Sequence, residues 1–101
     1  MTFSRIEIDA FRVAHDLNVG NAADAAAVLR NAMYYYPLEF STLLYEINRK
    51  SSAARRDDIV YDQNGNLLIR DRYSGQELFV GQPGNVGLPP ILPPIDLGGH
   101  A

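Results

Sequence analysis

The chain has no cysteine in its 101 residues. Disulfides are therefore excluded, and so are thiolate nucleophiles and cysteine-bound metals. Histidine is nearly as scarce: His15 and His100 lie far apart, and neither belongs to a ligand-spaced cluster. No apolar run approaches the roughly 20 residues that a membrane-spanning helix needs. The opening, Met1 to Phe11, lacks the basic-then-apolar order of a secretory signal. Positive charge is short as well, with nine Lys and Arg against twelve Asp and Glu, for a net charge of −3. Such a balance gives no uniform electrostatic grip on nucleic acid. Also missing are the Gly-x-Ser-x-Gly elbow, the phosphate loop and the dinucleotide glycine pattern. These absences together predict a soluble protein of the cytoplasm or of a virion. It is expected to be no enzyme, with no cofactor, no metal, no small-molecule substrate and no membrane or nucleic-acid partner.

What is present is a globular balance, 47% hydrophobic and 21% charged. The length suits one domain with a modest core. Three zones follow one another: an Ala-rich zone of helical period to about residue 56, short β-type runs from 57 to 81, and a Pro/Gly-rich tail from 82 to 101. The fold class this predicts is α+β, with a body over residues 1–81 and an extended arm over 82–101.

A first helix is expected over about 4–17. Ser4 and Glu7 have the spacing of a capping box, and Phe3 and Ile8 stand at the staple positions beside it. Ile6, Ala10, Val13, Ala14 and Leu17 recur at helical spacing, while Arg5, Asp9, Arg12 and Asp16 are expected to face away. The rival is a strand through Phe3–Ile8, where Ile6 and Ile8 alternate with polar neighbours. Asn18 and Gly20 supply a stop. Asn21 opens a second helix, about 22–36, with Asp24 in the first turn, where a carboxylate suits the positive dipole end. Its stripe runs through Ala22, Ala25, Ala26, Leu29, Met33 and Tyr36, and Pro37 ends it. A third helix, about 37–52, carries Phe40, Leu43, Leu44 and Ile47.

Strands are expected at about 58–61, 66–71 and 76–80, as an antiparallel meander that needs helical cover on one face. Asn64-Gly65 predicts a two-residue primed turn with φ > 0 at both positions. Asp62-x-Asn64-x-Asn66 has the start of a calcium loop. Its glycine comes too early and Tyr73 stands where the closing glutamate belongs, so it is read as a turn.

Two segments stand out as partner-binding candidates. Tyr34-Tyr35-Tyr36 places three rings about 100° apart on a helix, so they cannot share a face. Tyr34 and Tyr35 are expected to serve a protein contact, since tyrosine offers large area at low entropic cost. The tail holds five of the six prolines and one charge, Asp96. It can form neither a helix nor a central strand, yet Leu88, Ile91, Leu92, Ile95 and Leu97 need a surface to lie against. Arg49, Lys50, Arg55 and Arg56 cluster, but Asp57 and Asp58 follow, so the run is read as a solvated helix end rather than an anion site. The carboxylate pairs Asp9/Asp16 and Asp57/Asp58 could serve acid–base roles, but nothing in the sequence marks them as buried or convergent, which such chemistry requires.

These features favour a structural or assembly subunit of the phage- or virion-particle type, tied to itself or to other subunits by its apolar arm. The alternative is a small binding regulator, antitoxin-like or an inhibitor, acting by stoichiometric protein–protein binding. A helical nucleic-acid module using Arg49 to Arg56 ranks third.

Overall fold

A computed structural model describes residues 3–83 of the chain. Leu88, Ile91, Leu92, Ile95 and Leu97 lie outside the described residues. Three helices are followed by a three-stranded antiparallel sheet, the α+β arrangement expected from the zones.

Helix α1 spans Arg5–Val19. The Glu7 amide donates to Ser4 Oγ at 3.2 Å, and Glu7 reaches back to the Ser4 amide at 3.4 Å, closing the capping box. The staple expected from Phe3 and Ile8 takes another form. The Phe3 ring packs edge-on against Phe11, with centroids 5.7 Å apart, and Ile8 stays half exposed. Gly20 ends α1 with φ 83°, and its amide donates to the Asp16 carbonyl. Helix α2 follows at once, over Ala22–Tyr35, with Asn21 accepting from the Asp24 amide.

The third helix differs from expectation. Pro37–Glu39 forms a single 3₁₀ turn, and the α-helix α3 runs only over Phe40–Lys50. Tyr36 must leave helical geometry because it precedes proline; it sits at φ −143° and ψ 65°. At the far end Ser51 is extended, and the Ser52 amide donates to Asn18 Oδ1 at 2.9 Å. That bond ties the end of α3 to the end of α1.

Strands β1 (Asp57–Tyr61), β2 (Leu67–Asp71) and β3 (Glu77–Gly81) pair in sequence order. Asp57 lies opposite Asp71, Ile59 opposite Ile69, and Tyr61 opposite Leu67. Side chains alternate across a strand, so these six share one face. Ile59, Leu67 and Ile69 on it join Val13, Leu17, Leu29, Leu43 and Ile47 in one core. A bulge between Leu67 and Leu68 shifts the β2–β3 register, and Val80 also enters that core. The many alanines of the first two helices, Ala10, Ala25, Ala26 and Ala32, are wholly buried, so the elements approach closely. Arg30 of α2 fastens the edge strand by donating from Nε to the Val80 carbonyl at 3.0 Å.

The first hairpin turn is longer than predicted. The Asp62 amide donates to the Asn66 carbonyl at 3.0 Å, and the Gly65 amide donates to the Asp62 carbonyl at 3.2 Å. The loop is therefore Gln63-Asn64-Gly65, with only Gly65 at positive φ, 80°. Asp62 makes the difference: its Oδ1 accepts from the Asn64 and Asn66 amides at 2.8 and 2.9 Å. A side chain that satisfies two loop amides stabilises a three-residue turn over the two-residue form. Gly65→Val places a β-branched residue in the left-handed region, at a cost of about 1–2 kcal/mol or more. Urea unfolding should show that loss; an unchanged midpoint would mean that the turn tolerates a side chain.

Candidate functional site

The tyrosine run lies at the end of α2, and its three rings have different fates. Tyr36 turns inward, half buried against the core, and its hydroxyl donates a short hydrogen bond to Asp9. Asp9 also accepts from Arg5 Nε at 2.9 Å, and the Arg5 guanidinium lies 5.9 Å from the Tyr36 ring centre. Burial, then the Asp9 bond, pushes the Tyr36 phenol well above its ordinary range. The Arg5–Asp9–Tyr36 chain thus anchors the run to α1. The remaining two rings are left outside: Tyr34 is 77% and Tyr35 68% exposed, packed edge-on to each other at 4.8 Å. Leu38 in the following 3₁₀ turn is 76% exposed. A cluster of large side chains in water is a common mark of a contact surface.

A second group of outward-facing apolar residues lies at the start of α1, where Phe3 just before the helix and Ile8 and Phe11 on it are each about half exposed. The Lys50 ammonium lies 4.7 Å from the Phe11 ring centre. Phe11 was not singled out by the sequence, because it fell between the assigned polar positions and outside the core stripe.

The basic run is committed to neighbouring acids. Arg49 and Lys50 both reach Glu46, at 3.0 and 2.7 Å; Arg55 reaches Asp58 at 3.0 Å, and Arg56 reaches Asp71 at 3.6 Å. His15 is exposed on α1. Among the described residues, no three His, Cys, Asp or Glu converge on a metal position, and no helix is long and apolar enough to cross a membrane.

The carboxylates require a correction. Asp9, Asp16 and Asp57 are buried. Asp16, at 4% exposure, faces Asp24 at the junction of α1 and α2, and one of its oxygens has no hydrogen-bond donor. Desolvation, followed by the neighbouring Asp24 carboxylate, pushes its carboxyl up to about 7. Asp24 goes the other way, to about 2, because Arg12 donates to it at 2.7 and 2.9 Å. Two carboxyls sharing a site ionise unequally. Below about pH 7 the proton is therefore held on Asp16, while Arg12 neutralises its ionised partner.

Asp57 is 2% exposed and also has an oxygen without a donor. Burial and then the Asp71 charge raise its carboxyl above the ordinary range. The half-buried Tyr61 phenol is pushed up to about 12 by desolvation.

No protein-family model, curated protein or solved structure matches this chain.

Proposed function

We propose that this chain is a non-enzymatic assembly subunit, which binds neighbouring protein subunits through its exposed aromatic surface and its apolar C-terminal arm. The particle it serves is of the phage or virion type, and its place is that particle or the cytoplasm in which it forms. The observation that carries the reading is the division within Tyr34-Tyr35-Tyr36. One ring is anchored by Asp9, while two, packed edge-on to each other, are left in water. Rigid, preoriented tyrosines present contact area without a large ordering cost. The arm supports the reading by its composition: Leu88, Ile91, Leu92, Ile95 and Leu97 stand among prolines that stiffen a free chain. Its affinity would come from apolar area, at roughly 25 cal/mol per Å² before ordering costs.

Isolation of a tagged full chain from its native host, followed by sizing, tests the proposal. The expected result is a large complex that survives raised salt, since the arm carries one charge. Ile91→Asp with Ile95→Asp should abolish attachment, and Tyr34→Ser with Tyr35→Ser should weaken it. The tyrosine pair should leave stability within about 0.5 kcal/mol, as is usual for exposed positions. A monomer or dimer that binds one target stoichiometrically would replace this reading with that of a binding regulator. Attachment that survives all four substitutions would refute both surfaces.

A further inference from the structure

Asp57 and Asp71 are cross-strand partners on the inner face of the sheet, one directly opposite the other. Like charges so placed are destabilising, and here both lie at the end of that face, beyond the core. They line an open cleft of about 510 Å³ between the sheet and the corner where α1 passes into α2. Ile69, Leu78 and Ala22 give apolar walls, while Glu77, opposite Arg70 in the register, belongs to the other face of the sheet. The acids are not equivalent. Asp71 accepts from the Tyr73 and Ser74 amides at 2.7 and 3.1 Å and has Arg56 at 3.6 Å. Glu77 is held by Arg70 at 2.6 Å. Asp57, almost wholly buried, has no such donor for one of its oxygens.

A buried carboxyl is normally hydrogen-bonded or paired. Arg56 is the nearest internal candidate, yet it spans Asp71 and the face of Tyr73, 5.3 Å from the ring centre. A metal ion is disfavoured, because no three of these ligands converge on one point among the described residues. What fits is a single positive charge on an apolar stem: the head between Asp57 and Asp71, the stem along Ile69 and Leu78.

We infer that this cleft binds a primary aliphatic ammonium group on an alkyl chain, with Asp57 as the principal counter-charge. The group could come from a lysine side chain of a protein partner or from a free alkylamine. The site is separate from the tyrosine surface and does not depend on the assembly role proposed above.

The test is an NMR titration of the full chain with n-butylamine, with Nα-acetyl-lysine N-methylamide, and with n-butanol as the uncharged control. Both amines should shift the Ile69 and Leu78 methyl signals in a saturable way in the millimolar range, and butanol should not. The Asp57 carboxyl carbon should report a lower titration midpoint when amine is bound. Asp57→Asn should weaken binding at least tenfold, and it should fold, because it removes a buried charge without changing shape. If the lysine derivative binds more tightly, the source is a partner's lysine; if butylamine does, it is a free amine. Equal shifts with butanol, or an Asp57 midpoint unmoved by amine in the native chain, would overturn the inference. Undiminished binding in Asp57→Asn would overturn it as well.

Discussion

Leu43→Ala should lower the stability of the body by about 2–5 kcal/mol, the usual cost of emptying a large buried aliphatic position. Leu43 has no exposed surface and belongs to the single core that joins the helices to the sheet. Its helix, α3, packs chiefly on α1, where Ala10 and Val13 are also wholly buried. A wall of small side chains on tightly apposed helices has little room to collapse into the space a leucine leaves. The loss should therefore fall in the upper half of that range, because relaxation is what lowers the cost. A domain of this size has only about 5–15 kcal/mol to lose, so the transition midpoint in urea should move far. Tyr45→Ala, on the exposed face of the same helix, serves as the comparison and should stay within about 0.5 kcal/mol. A Leu43→Ala loss below about 0.5 kcal/mol would mean that the buried face of α3 is assigned wrongly.

Leu43 could be placed from the sequence because its signal is local. Phe40, Leu43, Leu44 and Ile47 repeat at the helical period, and all four are buried. The capping box of Ser4 and Glu7 is equally local, spanning four residues, and it is formed as read. The strands were legible as short β-type runs set apart by turn residues: Ile59 and Ile69 face the core, and the sheet order follows the chain. The buried acids were not legible. Asp9 stands three residues after Ile6, and Asp16 three after Val13, so both fall within the apolar stripe by spacing. Both were expected on the outward face of the helix. What permits their burial is contributed by other elements: Tyr36 hydrogen-bonds Asp9 from 27 positions away, and Asp24 faces Asp16 from the next helix. Asp57 is buried on the inner face of a strand whose partner also carries an aspartate, a pairing that no local window contains. The turn at Gly65 failed for a smaller reason. Asn64-Gly65 was recognised, but the amides that Asp62 would satisfy were not counted. The arm's contact residues are a different case, since they lie outside the described residues.

Asp16→Asn should raise stability at pH 8 by about 1–3 kcal/mol or more, since an unsatisfied buried polar group costs about that much and a charged one more, and should leave it almost unchanged near pH 4. The sign follows from proton linkage. Asp16 ionises at about 7 in the folded chain against an ordinary 3.8, so the folded state holds the proton more tightly than the unfolded state. Its contribution is fully present below about pH 4 and is lost as pH rises through 7. Asp24 acts in the opposite sense: its carboxyl is held at about 2, so its contribution is present above 3.8 and is lost as pH falls through 2. Asp62, Asp71 and Glu46 are also held low and follow Asp24. Asp57 is raised and follows Asp16. Between pH 4 and 7, then, the falling limb belongs mainly to Asp16, with Asp57 adding in the same direction. Asparagine keeps the shape of the protonated acid, and its amide can donate to the Asp24 carboxylate as the acid proton does. It has no charge to release at pH 8. Urea unfolding from pH 4 to 9 should accordingly show two curves that meet at the acid end and diverge through pH 7, with the variant the more stable. Parallel curves would mean that Asp16 ionises normally in the folded chain. A variant less stable at every pH would mean that its carboxyl holds α1 to α2 through a contact that an amide cannot replace.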